Sequence, residues 1–425
     1  MYSNGELIKF HRLHKNMTQN ELADAIISIS YLSKIENNQV QPSEEVMHLL
    51  LKKLGVTNTE DKEKEENYFT LLQEWYIAII NKNDQTMTEI KRRVKEIENK
   101  NSPFIVLQNL ITCRYLIYLN DISKAQELVT DTEKYTESFT PHMTFYYYIV
   151  NGLIHYHRTR YVEADLYFTE AFKIQEENPF TSAEIRYDLY YLLSLNASVL
   201  HECNKSIYFA NEALYYFREI YYTKRCAECH VLLNINYSRI KLEEKASEHY
   251  DKALYIAEQQ NDHSLKAMLL HNKGVFVGKK NQLEESIKLL VQSLRLRTST
   301  EPLKKLETIH LIVLGLYKME KWKECSTYLE QGKAVLKEYY REDFDLHFNV
   351  FSKRINSSTA EAIAYLEKIV IPYFESMNIL YFVVRYREML ADLYKSQNQH
   401  KGTANNLFEI LKLIKENPSL EGGLK

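Results

Sequence analysis

The sequence predicts an all-α protein: an N-terminal helix-turn-helix domain followed by a right-handed tetratricopeptide-type α-solenoid. Three observations carry that expectation. Residues 17–43 hold two short amphipathic helices with a capping signature. From about residue 67 apolar residues recur at helical spacing in segment after segment, joined by short polar turns. A pattern of small residues and one aromatic then returns roughly every 40 residues. Only 10 glycines occur in 425 residues, and strands are nowhere required.

The first two helices can be placed closely. Thr18 and Glu21 have the spacing of a capping box, so a helix should run over Thr18–Ile26 with Leu22, Ala23 and Ile26 on one face. A second spans Ile29–Glu36, with Leu32 and Ile35 sharing the same core. Asn37-Asn38 end it, Pro42-Ser43 open the next helix, and Val46, Leu49, Leu50, Leu54 and Val56 close a domain over residues 1–60. The remaining face of the second helix carries Ser30, Tyr31, Ser33 and Lys34. Short polar groups, a phenol and a cation on a rigid rod suit base edges and phosphates in a DNA major groove.

Charge tempers that reading. Residues 1–60 contain six Lys/Arg and seven Asp/Glu, so no basic footprint attracts a polyanion over distance. Lys9, Arg12 and Lys15, at helical spacing, and Lys34 are left to neutralise a few phosphates.

Residues 61–66 are expected as a linker, and 67–425 as about nine helical hairpins. Gly152, His155, Ala164, Phe168 and Ala171 have tetratricopeptide spacing. Parts of the pattern return at Ala246, Tyr250 and Ala253, then at Gly274, Ser286, Leu290 and Ser293. Prolines mark helix boundaries, except Pro372, which should kink or break its helix. Stacked hairpins present a concave face. Most of the 33 tyrosines and 17 phenylalanines should fill space between helices, with a minority lining that face. Asn196, Asn234 and Asn272 lie 38 residues apart twice over, each in a hairpin's first helix, and their amides match the N–H and C=O of an extended peptide. Capping or interhelical bonding is the competing role.

Other classes lack residues to stand on. There is no P-loop, G-x-G-x-x-G, H-E-x-x-H or G-x-S-x-G motif, so neither an enzyme nor a cofactor is expected. Cys226-Ala227-Glu228-Cys229-His230 matches C-x-x-C-H, but haem attachment needs export, and no second ligand pair stands at zinc spacing. Without an export signal or an apolar run of about 18 residues, a cytoplasmic protein with no membrane partner is expected.

Met17-Thr18-Gln19-Asn20-Glu21-Leu22-Ala23 with Ser30-Tyr31-Leu32-Ser33-Lys34-Ile35-Glu36-Asn37, joined to a repeat array, resembles the RNPP quorum-sensing regulators, in the NprR/PlcR-like manner. The chain departs from many Xre-type domains in having Ile27-Ser28 where a glycine often marks the turn. The resemblance implies that Gln19 positions a phosphate and that Ser30, Tyr31 and Lys34 read bases or backbone. It also implies a homodimer or higher oligomer whose paired DNA-binding domains are rearranged on a double-stranded operator when a short imported signalling peptide binds the array. A docking protein for a sporulation response regulator and a phage lysis–lysogeny peptide receptor are the alternatives it leaves open.

Overall fold

The computed structural model describes residues 4–15, 17–56, 59–97, 104–177 and 182–417, and among these every regular element is helical. The chain divides into two compact bodies, Met1–Lys252 and Ala253–Lys425, with the division falling inside the helix Glu243–Gln259.

The first body opens with α1 (Asn4–His14), α2 (Gln19–Ala23), α3 (Ile29–Glu36) and α4 (Glu44–Lys53). The capping box forms: Glu21 N–H donates to Thr18 Oγ1 at 3.2 Å, and Thr18 N–H donates to Glu21 Oε2 at 2.7 Å. α2 ends at Ala23, short of Ile26, because Ala25 adopts a φ of 61° and turns the chain. The left-handed position that favours glycine is therefore Ala25, upstream of Ile27-Ser28. Ser28 then caps α3, accepting from Tyr31 N–H at 3.3 Å. Ile8, Leu22, Ala23, Leu32, Ile35, Leu50 and Leu54 form the core, whereas Leu49, expected among them, is 41% exposed.

Beneath α3 lies a buried ion pair. Arg12 Nε and Nη2 donate to Glu36 Oε1 and Oε2 at 2.6 and 2.9 Å, and Nη1 donates to the Met17 carbonyl at 2.9 Å. Arg12, expected to face phosphate, is only 7% exposed and ties α1 to α3. The stretch 61–66, expected as a linker, falls within the helix Thr59–Ile80. Its run of Lys and Glu was read as a polar spacer, yet both are good helix formers.

Helix pairs then follow in order. The first body holds Thr59–Ile80 with Asp84–Ile97, Ile105–Tyr118 with Ile122–Glu133, Pro141–His157 with Tyr161–Glu177, and Ala183–Val199 with Cys203–Glu219, and continues into Thr223–Arg239. The second holds His263–Lys279 with Leu283–Leu296, Pro302–Lys318 with Trp322–Glu338, Glu342–Asn356 with Thr359–Ser376, and Leu380–Ser396 with His400–Glu416.

One crossing point recurs inside these pairs. A small polar side chain bonds a backbone carbonyl exactly one crossing away, twelve residues along the chain: Cys113 Sγ to Ala125 at 3.5 Å, Ser194 Oγ to Ser206 at 2.9 Å, Ser286 Oγ to Gly274 at 2.7 Å and Thr403 Oγ1 to Ala391 at 3.4 Å. In the pair Pro141–His157/Tyr161–Glu177 the position is Gly152, where a Cβ would lie 2.5 Å from the Phe168 ring. The tetratricopeptide spacing read from the sequence is thus a set of close helix approaches. The turns follow a rhythm as well: His201, Tyr221 and Lys241, twenty residues apart, take φ of 62°, 56° and 62°.

Pro372 does not break its helix. The turn before it, Leu366–Val370, widens to π geometry and absorbs the missing N–H and the ring, so the run continues to Ser376.

The second body also buries imidazoles. His310 and His347 stack with ring centroids 4.3 Å apart, and His347 Nδ1 meets the Tyr386 hydroxyl. Burial, then Arg385, pushes His347 down to about 3; burial, then Arg297 and Lys304, pushes His271 to about 4; burial and His347 hold His310 well below its ordinary value. Folded imidazoles that resist protonation leave the unfolded chain to take up protons first. Their contribution to stability is complete above an unfolded value near 6.5 and is lost as pH falls toward 3. Thermal unfolding of the second body should therefore move to lower temperature across that window. His310→Phe, which keeps the ring contacts without a titrating group, should flatten the dependence, as melts at stepped pH would show.

The ion pair under α3 gives a second expectation. Glu36→Gln leaves Arg12 buried without its counter-charge and should destabilise the N-terminal helices by about 3–5 kcal/mol. Arg12→Met with Glu36→Leu should recover most of the loss, measured by hydrogen-exchange protection of α3.

Candidate DNA-reading and peptide-binding residues

The face of α3 is less uniform than its sequence implies. Ser30 and Lys34 are exposed, while Tyr31 and Ser33 are half-buried and Tyr31 packs against the helix-turn-helix core. Ser30 Oγ lies 3.2 Å from Ser28 Oγ, so its hydroxyl already has a partner at the helix cap. Gln19 is half-buried, and its Nε2 donates to Glu36 Oε2 at 2.8 Å. That bond fixes the side chain at the start of α2 and couples it to the Arg12–Glu36 pair. The sequence reading passed over Ile29, the first residue of α3, which is 47% exposed. An apolar residue directly after a cap on a polar face was the available signal.

The three asparagines do not occupy one register. Their helices begin at Ala183, Thr223 and His263, a period of 40, whereas the asparagines recur every 38. Two residues of slippage per repeat rotate a side chain by about 200° around its helix, so the expected ladder does not form. Asn196 is fully buried, its Nδ2 donating to the Tyr161 carbonyl at 3.0 Å and to Asp165 Oδ1 at 3.3 Å. Asn234 takes the crossing position of its pair, Nδ2 donating to the Ala246 carbonyl at 2.8 Å. Asn272, in the second body, is half-buried with no hydrogen bond among the described residues.

A string of charges in the first body was missed. Asp188 Oδ2 accepts from Arg114 Nη2 at 3.2 Å and its Oδ1 from Arg225 Nη2 at 2.6 Å. Arg225 Nη1 continues to Glu228 Oε2 at 2.8 Å, and Glu228 pairs with Lys82, 146 residues away in sequence. Burial opposes the charge of Arg225, but Asp188 and Glu228 outweigh it and hold the guanidinium protonated. Burial likewise pushes Glu228 up, and Arg225 and Lys82 overcome it, so its carboxyl sits below the usual range. The Arg225 guanidinium stacks 4.3 Å from the Tyr191 ring centroid. Hairpin first helices that are not neighbours in sequence are joined by this string, with Lys82 its most exposed member. Asp188, set among Ile185, Leu189 and Leu192 on a buried stripe, was the sequence clue.

Cys226 and Cys229 are buried, and burial raises both thiols, so they pack as small apolar groups beside His230. No group of three or more metal-ligating side chains occurs among the described residues, and no helix among them is long and apolar enough to cross a membrane.

Residues 8–60 match the helix-turn-helix family model. Over 393 residues the chain is 33% identical to the transcriptional activator NprA of Geobacillus stearothermophilus, covering 89% of this chain and 95% of NprA. It is 22% identical over 336 residues to response regulator aspartate phosphatase A of Bacillus subtilis strain 168, covering 72% and 85% of the two chains. Among solved structures, the apo quorum sensor NprR from B. thuringiensis aligns with a TM-score of 0.68 at 22% identity, and NprR in complex with its cognate peptide NprX with 0.63 at 22%. Each alignment covers 82% of this chain and 99% of NprR, so the fold is shared. Near-full-length identity to NprA, a helix-turn-helix at the head and NprR-type helical repeats behind it make this chain a member of the RNPP family of regulators.

Proposed function

We propose that the chain is a cytoplasmic, peptide-gated transcriptional regulator that reads an operator through α3 in a paired state and carries no enzymatic activity. A short signalling peptide lies along the first helices of the hairpins. The observation that carries this reading is the joining, in one chain, of a capped recognition helix exposing Ser30 and Lys34 to the fold that in NprR holds the peptide NprX. Half-sites on DNA lie about one helical turn, roughly 34 Å, apart. A peptide that binds one arrangement of the repeats better than another shifts the population of correctly spaced reading heads.

Likeness to an aspartate phosphatase named for response regulators supports a second role, docking of a response-regulator domain on the repeats. Retention of such a domain by the peptide-free chain, and its release by peptide, would distinguish that role.

Lys34→Ala is expected to weaken operator binding and to reduce the dependence of log K on log salt by about one unit, with peptide affinity unchanged. Asn272→Ala is expected to do the reverse, weakening peptide by about 1–3 kcal/mol without lowering the melting temperature. Calorimetric titration of hexa- to octapeptides and gel shifts at stepped salt are the measurements. Joint loss of both affinities on Lys34→Ala would contradict the division of labour.

A further inference from the structure

We infer that Ile29 sets operator specificity by reading the 5-methyl group of a thymine in the major groove. The inference rests on α3 being the recognition helix and concerns what that helix distinguishes.

The start of α3 is rigid. Ser28 caps it, accepting from Tyr31 N–H at 3.3 Å, and the Ser28 and Ser30 hydroxyls are 3.2 Å apart. Ile29 is therefore held at the first helical position, the end of a recognition helix that meets base edges in this docking geometry. Its branched side chain has one strongly preferred rotamer in a helix, so placing it against a base loses little entropy.

Little else on this surface discriminates. Tyr31 leans on the core, Ser33 is half-buried, and the Ser30 hydroxyl is partnered. The helix thus presents one apolar group, Ile29 at 47% exposure, and one cation, Lys34. A lysine serves either a phosphate or a guanine edge. Isoleucine has neither donor nor acceptor, and among the four bases only thymine offers an apolar group, its methyl, in the major groove. Ile29 is also unlike the other apolar residues of α3: Leu32 and Ile35 are fully buried in the core, so half of Ile29 faces water without a packing reason.

The test uses the full chain. It is mixed with a random-sequence duplex pool, bound duplexes are enriched, and the winner is remade with each thymine replaced in turn by deoxyuridine, which removes only the methyl. One replacement per half-site should lower wild-type affinity about threefold to fivefold, the effect of exposing roughly one methyl group. The same replacement should leave Ile29→Ala unchanged. Ile29→Gln, able to pair with adenine through two hydrogen bonds, should enrich adenine at that position. Lys34→Ala should weaken every duplex while keeping the deoxyuridine penalty. Because Ile29 lies half outside the core, matching thermal melts for its variants confirm that folding is intact, and Ile29→Val, which keeps a methyl contact, should retain part of the penalty.

Deoxyuridine tolerated everywhere by the wild-type chain, or an equal penalty in Ile29→Ala, overturns the assignment to Ile29 while leaving α3 as the reading helix. Failure of the wild-type chain to enrich any duplex overturns both.

Discussion

The contact on which the repeats depend is the crossing point of each helix pair, where one helix presents little or no side chain and its partner fills the space. At Gly152 the Phe168 ring occupies the volume a Cβ would need, and Gly332 receives Phe348 in the same way. Elsewhere a hydroxyl, thiol or amide at the crossing bonds the facing backbone carbonyl, as Ser194 does with Ser206 and Asn234 with Ala246. Helices at this separation leave side chains on their flanks to meet the next pair, which is why aromatic residues accumulate there. Tyr187 stacking on Tyr216 at 4.4 Å and Phe172 against Phe209 at 5.7 Å are consequences of that spacing. A polar group that crosses such a contact must be satisfied within it, because water has no access.

This constraint explains what the sequence revealed and what it hid. Small residues, the aromatic that answers them and polar turns are all local signals, so the helical class and the helix-turn-helix were legible. Ser28, Thr18 and Glu21 announced their helices because caps act within four residues. Asn234 looked like a groove residue only because its true role, closing a crossing twelve residues away, is indistinguishable by composition from a ligand contact. The 38-residue spacing of the asparagines against a 40-residue helix period was the decisive discrepancy, and it shows once helix starts are known. The charge string was hidden for another reason. Lys82 and Glu228 meet across 146 residues, and no local pattern predicts a pair formed by the winding of the repeats.

The N-terminal domain shows the same trade between reach and burial. Arg12 has the spacing of a phosphate-facing cation on α1, but Glu36 occupies it, and Gln19 completes the arrangement from α2. One carboxylate thereby joins three helices, a directional contact in a domain too small to define helix angles with apolar packing alone. The cations that remain for DNA are few. A surface with little long-range attraction must discriminate through close contacts, so shape at the start of α3 carries more weight than charge.

α1 links this reading surface to the repeats. Ile8 is fully buried in the helix-turn-helix core, while Phe10, two residues on and therefore about 200° around the helix, is 1% exposed within the core of the first repeats. α1 also lies against the turn Thr136–Ser138 that precedes the helix Pro141–His157. Swinging the reading head away would expose a phenylalanine, at a cost of about 1.5–3 kcal/mol. With helix in place of the expected linker at 61–66, the connection has a packed contact as well as a chain link. A shift of the helices that hold Phe10 then displaces α1, and through Arg12 and Glu36 it displaces α3. A slack tether would leave the spacing of two reading heads unchanged by anything that happened in the repeats; a helix buried on both sides does not.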